Sequence, residues 1–206
     1  MKRTGTMMAV LSLFLASIMA KGSPEITPAP LRAPLQTENT FAIALIESED
    51  ALLLNPVTAT DFTSLLILDA LFEGLYTQEP QRGEAQPALA EWVDVSDDDR
   101  IWLFRLREGG AFSNGDPITA HTFVNSWMHL LQQGRSGTGN TYLISMMDSI
   151  EGVQDYRRGT GPASQIGIVA EDERTIRITL REPAPYLPSL LSMTPFRAIH
   201  PTLLNG

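Results

Sequence analysis

Three histidines, His121, His129 and His200, are the only imidazoles in this chain of 206 residues, and there is no cysteine. A transition metal would therefore depend on these rings and on carboxylates. His121 and His129 stand eight apart in a stretch of helical periodicity, about two turns. They could share a face, yet two rings that far apart do not hold one zinc ion, and no HExxH supplements them. All three read as surface histidines. The acidic triplet Asp97-Asp98-Asp99 lacks the alternating oxygen ligands, glycine and distal Glu of a calcium loop, and reads as a solvated turn. Serine and aspartate are plentiful, but no G-x-S-x-G elbow is present. Glu47 and Glu49 lack the apolar setting that separates the pKa values of an acid and a base. Gly159-Thr160-Gly161 is a poor phosphate loop, with no strand leading in and no helix leading out. These residues form no catalytic constellation. The expectation is a protein that is not an enzyme, uses no cofactor and no metal, and works through backbone groups and pockets.

The elements that would position such groups are well marked. Residues 101–107 place Trp102, Phe104 and Leu106 on one face and Leu103, Arg105 and Arg107 on the other, the period of a half-buried strand. Gly109-Gly110 ends it, and Ser113-Asn114-Gly115-Asp116 before Pro117 is turn chemistry. Thr119 is placed to cap a helix whose Phe123, Trp127, Leu130 and Leu131 recur at helical spacing. Residues 91–95 pair with 101–106 across the acidic triplet, and 166–170 with 175–180 across a second turn. Upstream, Asp61 or Thr60 caps a helix through Leu71, with Leu65, Leu68, Leu71 and Phe72 inward and Gly74 closing it. Residues 75–77 read as a short strand and 79–86 as a loop. Residues 142–156 read as one helix with Leu143, Met146, Met147 and Ile150 on one face. Pro183 and Pro185 start a short helix to about Met193, residues 196–199 form a last strand, and 41–46 is a buried strand near the start.

Composition sets the compartment and the partners. With 43% hydrophobic and 19% charged residues the chain is globular. A net charge of −9 argues against nucleic acid, which needs a basic footprint. Residues 1–22 read as a secretory signal: Lys2 and Arg3, an apolar core from Met7 to Met19, then small residues that allow a cut after Ala20 or Gly22. That core is shorter than the ~20 residues a membrane span needs. Residues 23–40 are a proline-bearing leader or linker. The product is expected in the periplasm or outside the cell, without a lipid anchor because no cysteine is available.

The actual residues go further than periodicity. Phe104-Arg105-Leu106-Arg107-Glu108-Gly109, then Phe112-Ser113-Asn114-Gly115-Asp116-Pro117-Ile118-Thr119-Ala120 and Phe123-Val124-Asn125-Ser126-Trp127, resemble the signature stretch of the family 5 extracellular solute-binding proteins. These are the oligopeptide- and dipeptide-binding receptors of bacterial ABC importers. Phe72-Glu73-Gly74-Leu75-Tyr76 is similar to the family's F-E-G-L-x. Pro87-Ala88-Leu89-Ala90-Glu91 resembles its P-A-[LV]-A-E-S-W without the Ser. Ile166-Gly167-Ile168-Val169-Ala170 with Asp172 and Thr175, followed by Pro183-Ala184-Pro185-Tyr186, resembles a fourth block. Leu54-Asn55-Pro56 is similar to the family's L-[DN]-P.

The resemblance implies an α/β fold, the amino-terminal part of a two-lobed type II solute-binding protein. It would comprise a first segment of lobe I (41–72), an intermediate domain (73–194) and the start of the return to lobe I (195–206). It implies a monomer that binds peptides in extended form between two lobes and delivers them to the permease of an ABC transporter. In the family the peptide main chain pairs with short protein strands, so affinity comes from backbone hydrogen bonds. Counting from Pro56 puts the contacting segment at Thr60, Asp61 and Phe62. Asp61 matches an acidic residue common there but is displaced by one place, which reverses its direction in a strand; capping the helix is its other use. Gly139 falls where the family carries a ligand-contacting aromatic, with Tyr142 the nearest ring. Such receptors are much longer, so the sequence is expected to be a fragment or a truncated product. The alternatives are a non-binding surface protein and a receptor for another solute such as nickel.

Overall fold

A computed structural model of the chain describes residues 54–137 and 141–204. The expected signal, leader, first strand and Gly139 lie outside these residues. In chain order the elements are α1 (Phe62–Leu71), β1 (Tyr76–Gln78), β2 (Ala85–Pro87), β3 (Ala90–Val95), β4 (Ile101–Leu106) and α2 (Ala120–Ser136). There follow α3 (Thr141–Ser145), α4 (Val153–Arg158), β5 (Ile168–Ala170), β6 (Thr175–Thr179) and α5 (Leu187–Leu191), with short 3-10 turns between and after them.

Both predicted hairpins form, β3 with β4 and β5 with β6. They are joined through β4 and β6, which run antiparallel with Trp102 opposite Ile178 and Phe104 opposite Ile176. The result is a four-stranded antiparallel sheet in the order β3-β4-β6-β5. Alternation decides which face is covered: Phe104, Leu106, Ile176 and Ile178 are buried, and Trp102 stacks on Phe104 at 6.0 Å. α2 lies against β5 and β6. Its Phe123, Trp127, Leu130 and Leu131 are fully buried, each contributing about 1.5–3 kcal/mol of transfer free energy or more for the larger rings.

The start of α2 is set as expected. Thr119 Oγ1 accepts from Thr122 N, and Thr122 Oγ1 accepts from Thr119 N at 3.1 Å, a capping box built from two threonines. Gly115 sits at φ +91°, which the turn before the helix requires and a side chain resists.

Five sequence readings are corrected. Residues 85 and 86, the end of the loop read over 79–86, belong instead to β2 and pair with β1, Thr77 opposite Gln86. The helix expected over 142–156 is broken into α3, a 3-10 turn over Met146–Ser149, and α4. The break has a physical cause: Ile150 bridges Leu180, Glu151 N donates to Thr179 O at 2.9 Å, and Gly152 takes φ +74° against Gln165. Sheet-margin hydrogen bonds outweigh local helix preference there. Gly74 does not close α1, which ends at Phe72 in extended backbone. Instead a Cβ at Gly74 would lie 2.9 Å from the Tyr76 carbonyl oxygen, so glycine serves close backbone approach. Leu71 points outward at 65% exposure, and only Leu68 of the four expected inward residues is fully buried.

No strand forms at 196–199. Thr194–Phe196 is a 3-10 turn, and the groups beyond it are taken by α2: Trp127 Nε1 donates to Phe196 O at 2.9 Å, and Ser126 Oγ accepts from Ile199 N at 2.9 Å. Side chains do the work that a neighbouring strand would otherwise do. Phe196, Ala198 and Ile199 join Val57 in the same buried cluster as the sheet and α2.

Candidate ligand-binding segment

The segment singled out by counting lies at the amino end of α1, and the turn before it explains its placement. Asn55 Oδ1 accepts from Val57 N at 2.9 Å, and Asn55 O accepts from Ala59 N at 2.9 Å. This side-chain-made turn buries Val57 and Ala59 and delivers Thr60 to the surface. The main-chain groups of Thr60 make no hydrogen bond with the described residues. Asp61 is extended at φ −84°, ψ 149°, and its Oδ1 accepts from Ser64 N at 2.8 Å. Hydrogen bonds from Ser64, side chain and then backbone, hold its carboxyl below the usual carboxylate range. Asp61 is therefore the helix cap, one of the two uses that the sequence left open. Phe62 is the first helical residue and is 80% exposed. The three residues are contiguous at one surface, with Thr60 and Asp61 outside the helix and Phe62 within it.

The other end of α1 is clamped. Arg197 is 3% exposed; its Nη1 donates to Phe72 O at 2.6 Å, and its Nη2 pairs with the Asp69 carboxylate. A guanidinium at the carboxyl end of a helix meets unsatisfied carbonyls and the negative end of the helix dipole. Glu73, two residues past Leu71, receives Arg107 Nη2 on both oxygens at 3.0 Å. Sequence reasoning passed over Arg197; the available signal was a lone cation inside the apolar run Pro195-Phe196-Arg197-Ala198-Ile199.

Beside this end of α1 is a cleft of about 560 Å³, bounded by Leu71, Phe72, Phe112, Ile118, His200 and Leu203 among others. It corrects the reading of His200 as a surface histidine. The ring lies edge-on to Phe112 at 4.8 Å, and its side chain is 18% exposed. Nδ1 lies 3.3 Å from Thr202 N, and Nε2 lies 2.8 Å from Asp116 Oδ2. Asn114 Nδ2 donates to the same carboxylate at 2.8 Å. Hydrogen bonds from His200 first, then Asn114, hold Asp116 below the usual carboxylate range. The ring caps the 3-10 turn Pro201–Leu203 and ties it to the turn before α2. His121 is exposed, 4.0 Å from Glu173, and His129 lies beside Gln133; the three rings do not converge. Among the described residues no group of three or more His, Asp or Glu could hold a metal ion.

The four-stranded antiparallel sheet carries one long helix, and the capped start of α1 lies at the surface. Comparison with known proteins makes the class specific. The family profile described as "Bacterial extracellular solute-binding proteins, family 5 Middle" matches residues 84–202. A putative binding protein of Haemophilus influenzae is 35% identical over 173 residues, 81% of this chain and 32% of its own length. The periplasmic oligopeptide-binding protein OppA of Salmonella typhimurium is 36% identical over 134 residues, 65% of this chain and 22% of its length. Among solved structures, a periplasmic oligopeptide-binding protein of Borrelia burgdorferi (OppAIV) superposes with a TM-score of 0.68 at 30% identity, covering 75% of this chain and 30% of that one. The fold is thus that of part of a two-lobed solute-binding protein. The chain belongs to the family 5 extracellular solute-binding proteins. It spans about a third or less of the length of these curated relatives.

Proposed function

We propose that this chain is part of the exported substrate-binding component of an ABC importer, and that its ligand is a peptide bound in extended form. In this reading residues 73–194 are the intermediate domain, 41–72 and 195–206 belong to the first lobe, and residues 1–22 are a signal removed after Ala20 or Gly22. The observation that carries the ligand assignment is the main chain of Thr60 before α1, which makes no hydrogen bond among the described residues, together with the oligopeptide-binding character of the relatives. Asp61 is extended beside Thr60, and the Phe62 N–H at the start of α1 continues that edge. Asp61 then has two parts: it caps the helix and places negative charge near an incoming peptide amine.

The test uses a substitution that removes a donor without unfolding the helix. Phe62 is the first helical position, where proline fits, and the extended Asp61 before it already has the backbone proline demands. Phe62→Pro removes the N–H, whereas Phe62→Ala removes only the ring. In an NMR titration of the chain with a tripeptide mixture, binding in the roughly millimolar range is expected for pairing on one wall. Phe62→Pro should weaken it about tenfold beyond Phe62→Ala, the worth of one hydrogen bond of about 1.4 kcal/mol. Equal binding by the two variants would remove this segment from the site.

A further inference from the structure

The tight turn that ties the start of α2 to His200 carries a covalent weak point. Asn114 is followed by Gly115, and both are exposed. Gly115 sits at φ +91° with nothing within 4 Å of where a Cβ would stand, so no side chain shields its nitrogen. An asparagine carboxamide in this position is open to attack by the next main-chain nitrogen. Gly115 N forms a bond to Asn114 Cγ, the Cγ–Nδ2 bond breaks, and the Gly115 proton leaves with Nδ2 as ammonia. Water then opens the resulting succinimide at either carbonyl, giving an aspartate or an isoaspartate at position 114.

Two contacts bear on the rate, in opposite directions. Asp116 N donates to Asn114 Oδ1 at 3.1 Å, and that oxygen gains negative charge as the nitrogen attacks. Gly115 N is itself engaged, donating to Phe112 O at 2.9 Å, so attack waits on a local opening of the turn. An exposed turn opens at a small fraction of the global unfolding free energy. The other described asparagines are closed to this chemistry. Asn55 precedes Pro56, which has no N–H to give. Asn125 lies within α2, where the helix ladder fixes the N–H of the buried Ser126.

The product would disturb what the turn holds. Asn114 Nδ2 donates to Asp116 Oδ2 at 2.8 Å and lies 3.3 Å from His200 Nε2. Replacing that NH2 by a carboxylate oxygen removes a donor and sets two like charges at hydrogen-bond distance. Asp116 is the carboxylate that lies 2.8 Å from His200, and His200 caps the 3-10 turn Pro201–Leu203 beside the cleft of about 560 Å³. We propose that Asn114 is a site of spontaneous deamidation, and that its conversion loosens the contact between the turn before α2 and residues 200–203. The chain then carries a one-way, age-dependent change in the wall of that cleft, which Asn114 and His200 both line. None of Thr60, Asp61 or Phe62 takes part, so this inference and the peptide reading stand or fall separately.

The experiment ages the full chain at mildly alkaline pH, folded and in urea, and maps its peptides by mass. A gain of about one dalton at position 114 is expected in both samples, slower in the folded one, where Asn125 stays unchanged. Asn114→Asp supplies the product without ageing. It should lower the thermal midpoint and speed amide exchange at Thr202, Leu203 and Leu204, whose N–H groups are engaged within the 200–203 turn. The double variant Asn114→Asp with Asp116→Asn restores one amide and one carboxylate to the turn, and should recover most of that loss. Any one of three results overturns the proposal. The first is an intact amide at 114 in the folded chain once the unfolded chain has converted. The second is an Asn114→Asp chain with the thermal midpoint and exchange of the wild type. The third is a double variant no more stable than Asn114→Asp alone.

Discussion

Arg197 is the most informative residue to perturb, because its replacement separates two accounts of how α1 is held. Its side chain is 4% exposed, while its partner Asp69 is 57% exposed. In Arg197→Met the stem volume is largely kept and the charge is lost. Asp69 is then not stranded, since water reaches it, and its half-exposed ion pair counts for about 0–1 kcal/mol. The carbonyl of Phe72 loses a charge-assisted donor at 2.6 Å, worth about 1.5–3 kcal/mol. Against this, methionine removes the cost of burying a guanidinium whose Nε has no partner among the described residues. The net expectation is a loss of about 1–3 kcal/mol, or very roughly 3–10 °C in thermal midpoint for a unit of this size. Arg197→Lys supplies the discriminating arm. Lysine keeps the charge but cannot span a backbone carbonyl and a carboxylate with a planar fork, and it buries a strongly hydrated ammonium. It should cost at least as much as methionine. Urea denaturation gives the free energies, and amide hydrogen exchange over Leu68 to Phe72 should speed up in both variants. A lysine variant close to wild type, with a damaged methionine variant, would show that charge alone holds the helix and that the fork geometry is irrelevant.

Two further outcomes follow from the backbone and from titration. Gly152→Ala should cost about 2–4 kcal/mol, because it combines φ +74° with a Cβ that collides with the Gln165 carbonyl. Gly109→Ala, at φ +75° with open space around it, should cost only about 1–2 kcal/mol; equal losses in urea melts would refute the steric part. Asp61 has a carboxyl held low in the folded chain by Ser64, so its contribution is present above the unfolded value of about 3.9 and lost as pH falls through the lower folded value. Asp61→Asn keeps a good cap that does not titrate. The gap between wild type and variant should therefore be constant near neutrality and narrow or reverse below about pH 3.9, as followed by urea melts across acid pH; a gap that widens in acid would contradict the assignment.

Much of the scaffold was legible because local signals and tertiary packing agree in it. Trp102, Phe104 and Leu106 alternate, Thr119 caps, Phe123 and Trp127 repeat at helical spacing, and each behaves accordingly. What escaped was whatever depends on residues distant in sequence. The pairing of β4 with β6 is not written in either hairpin. The break at Gly152 exists because Thr179 and Gln165 come to meet it. Residues 196–199 look like a strand by composition, yet Ser126 and Trp127 satisfy their backbone first. His200 and Asp116 have no sequence relation that would announce their contact.

The candidate site is a harder case, and the reason is chemical. A site that works by pairing main chains draws on N–H and carbonyl groups that every residue but proline carries, so no side-chain pattern has to mark it. What the sequence can encode is the apparatus that leaves such groups open. Asn55 spends its side chain on folding the turn, Asp61 spends one oxygen on the helix start, and Arg197 holds the far end of the same helix. Each removes a local alternative for the backbone, so that Thr60 arrives at the surface with its hydrogen-bonding capacity unspent among the described residues. By this logic the residues most worth mutating are the anchors on either side of the segment. A change at Thr60 that spares its main chain should matter less for ligand than loss of Asn55, whose turn positions the whole edge.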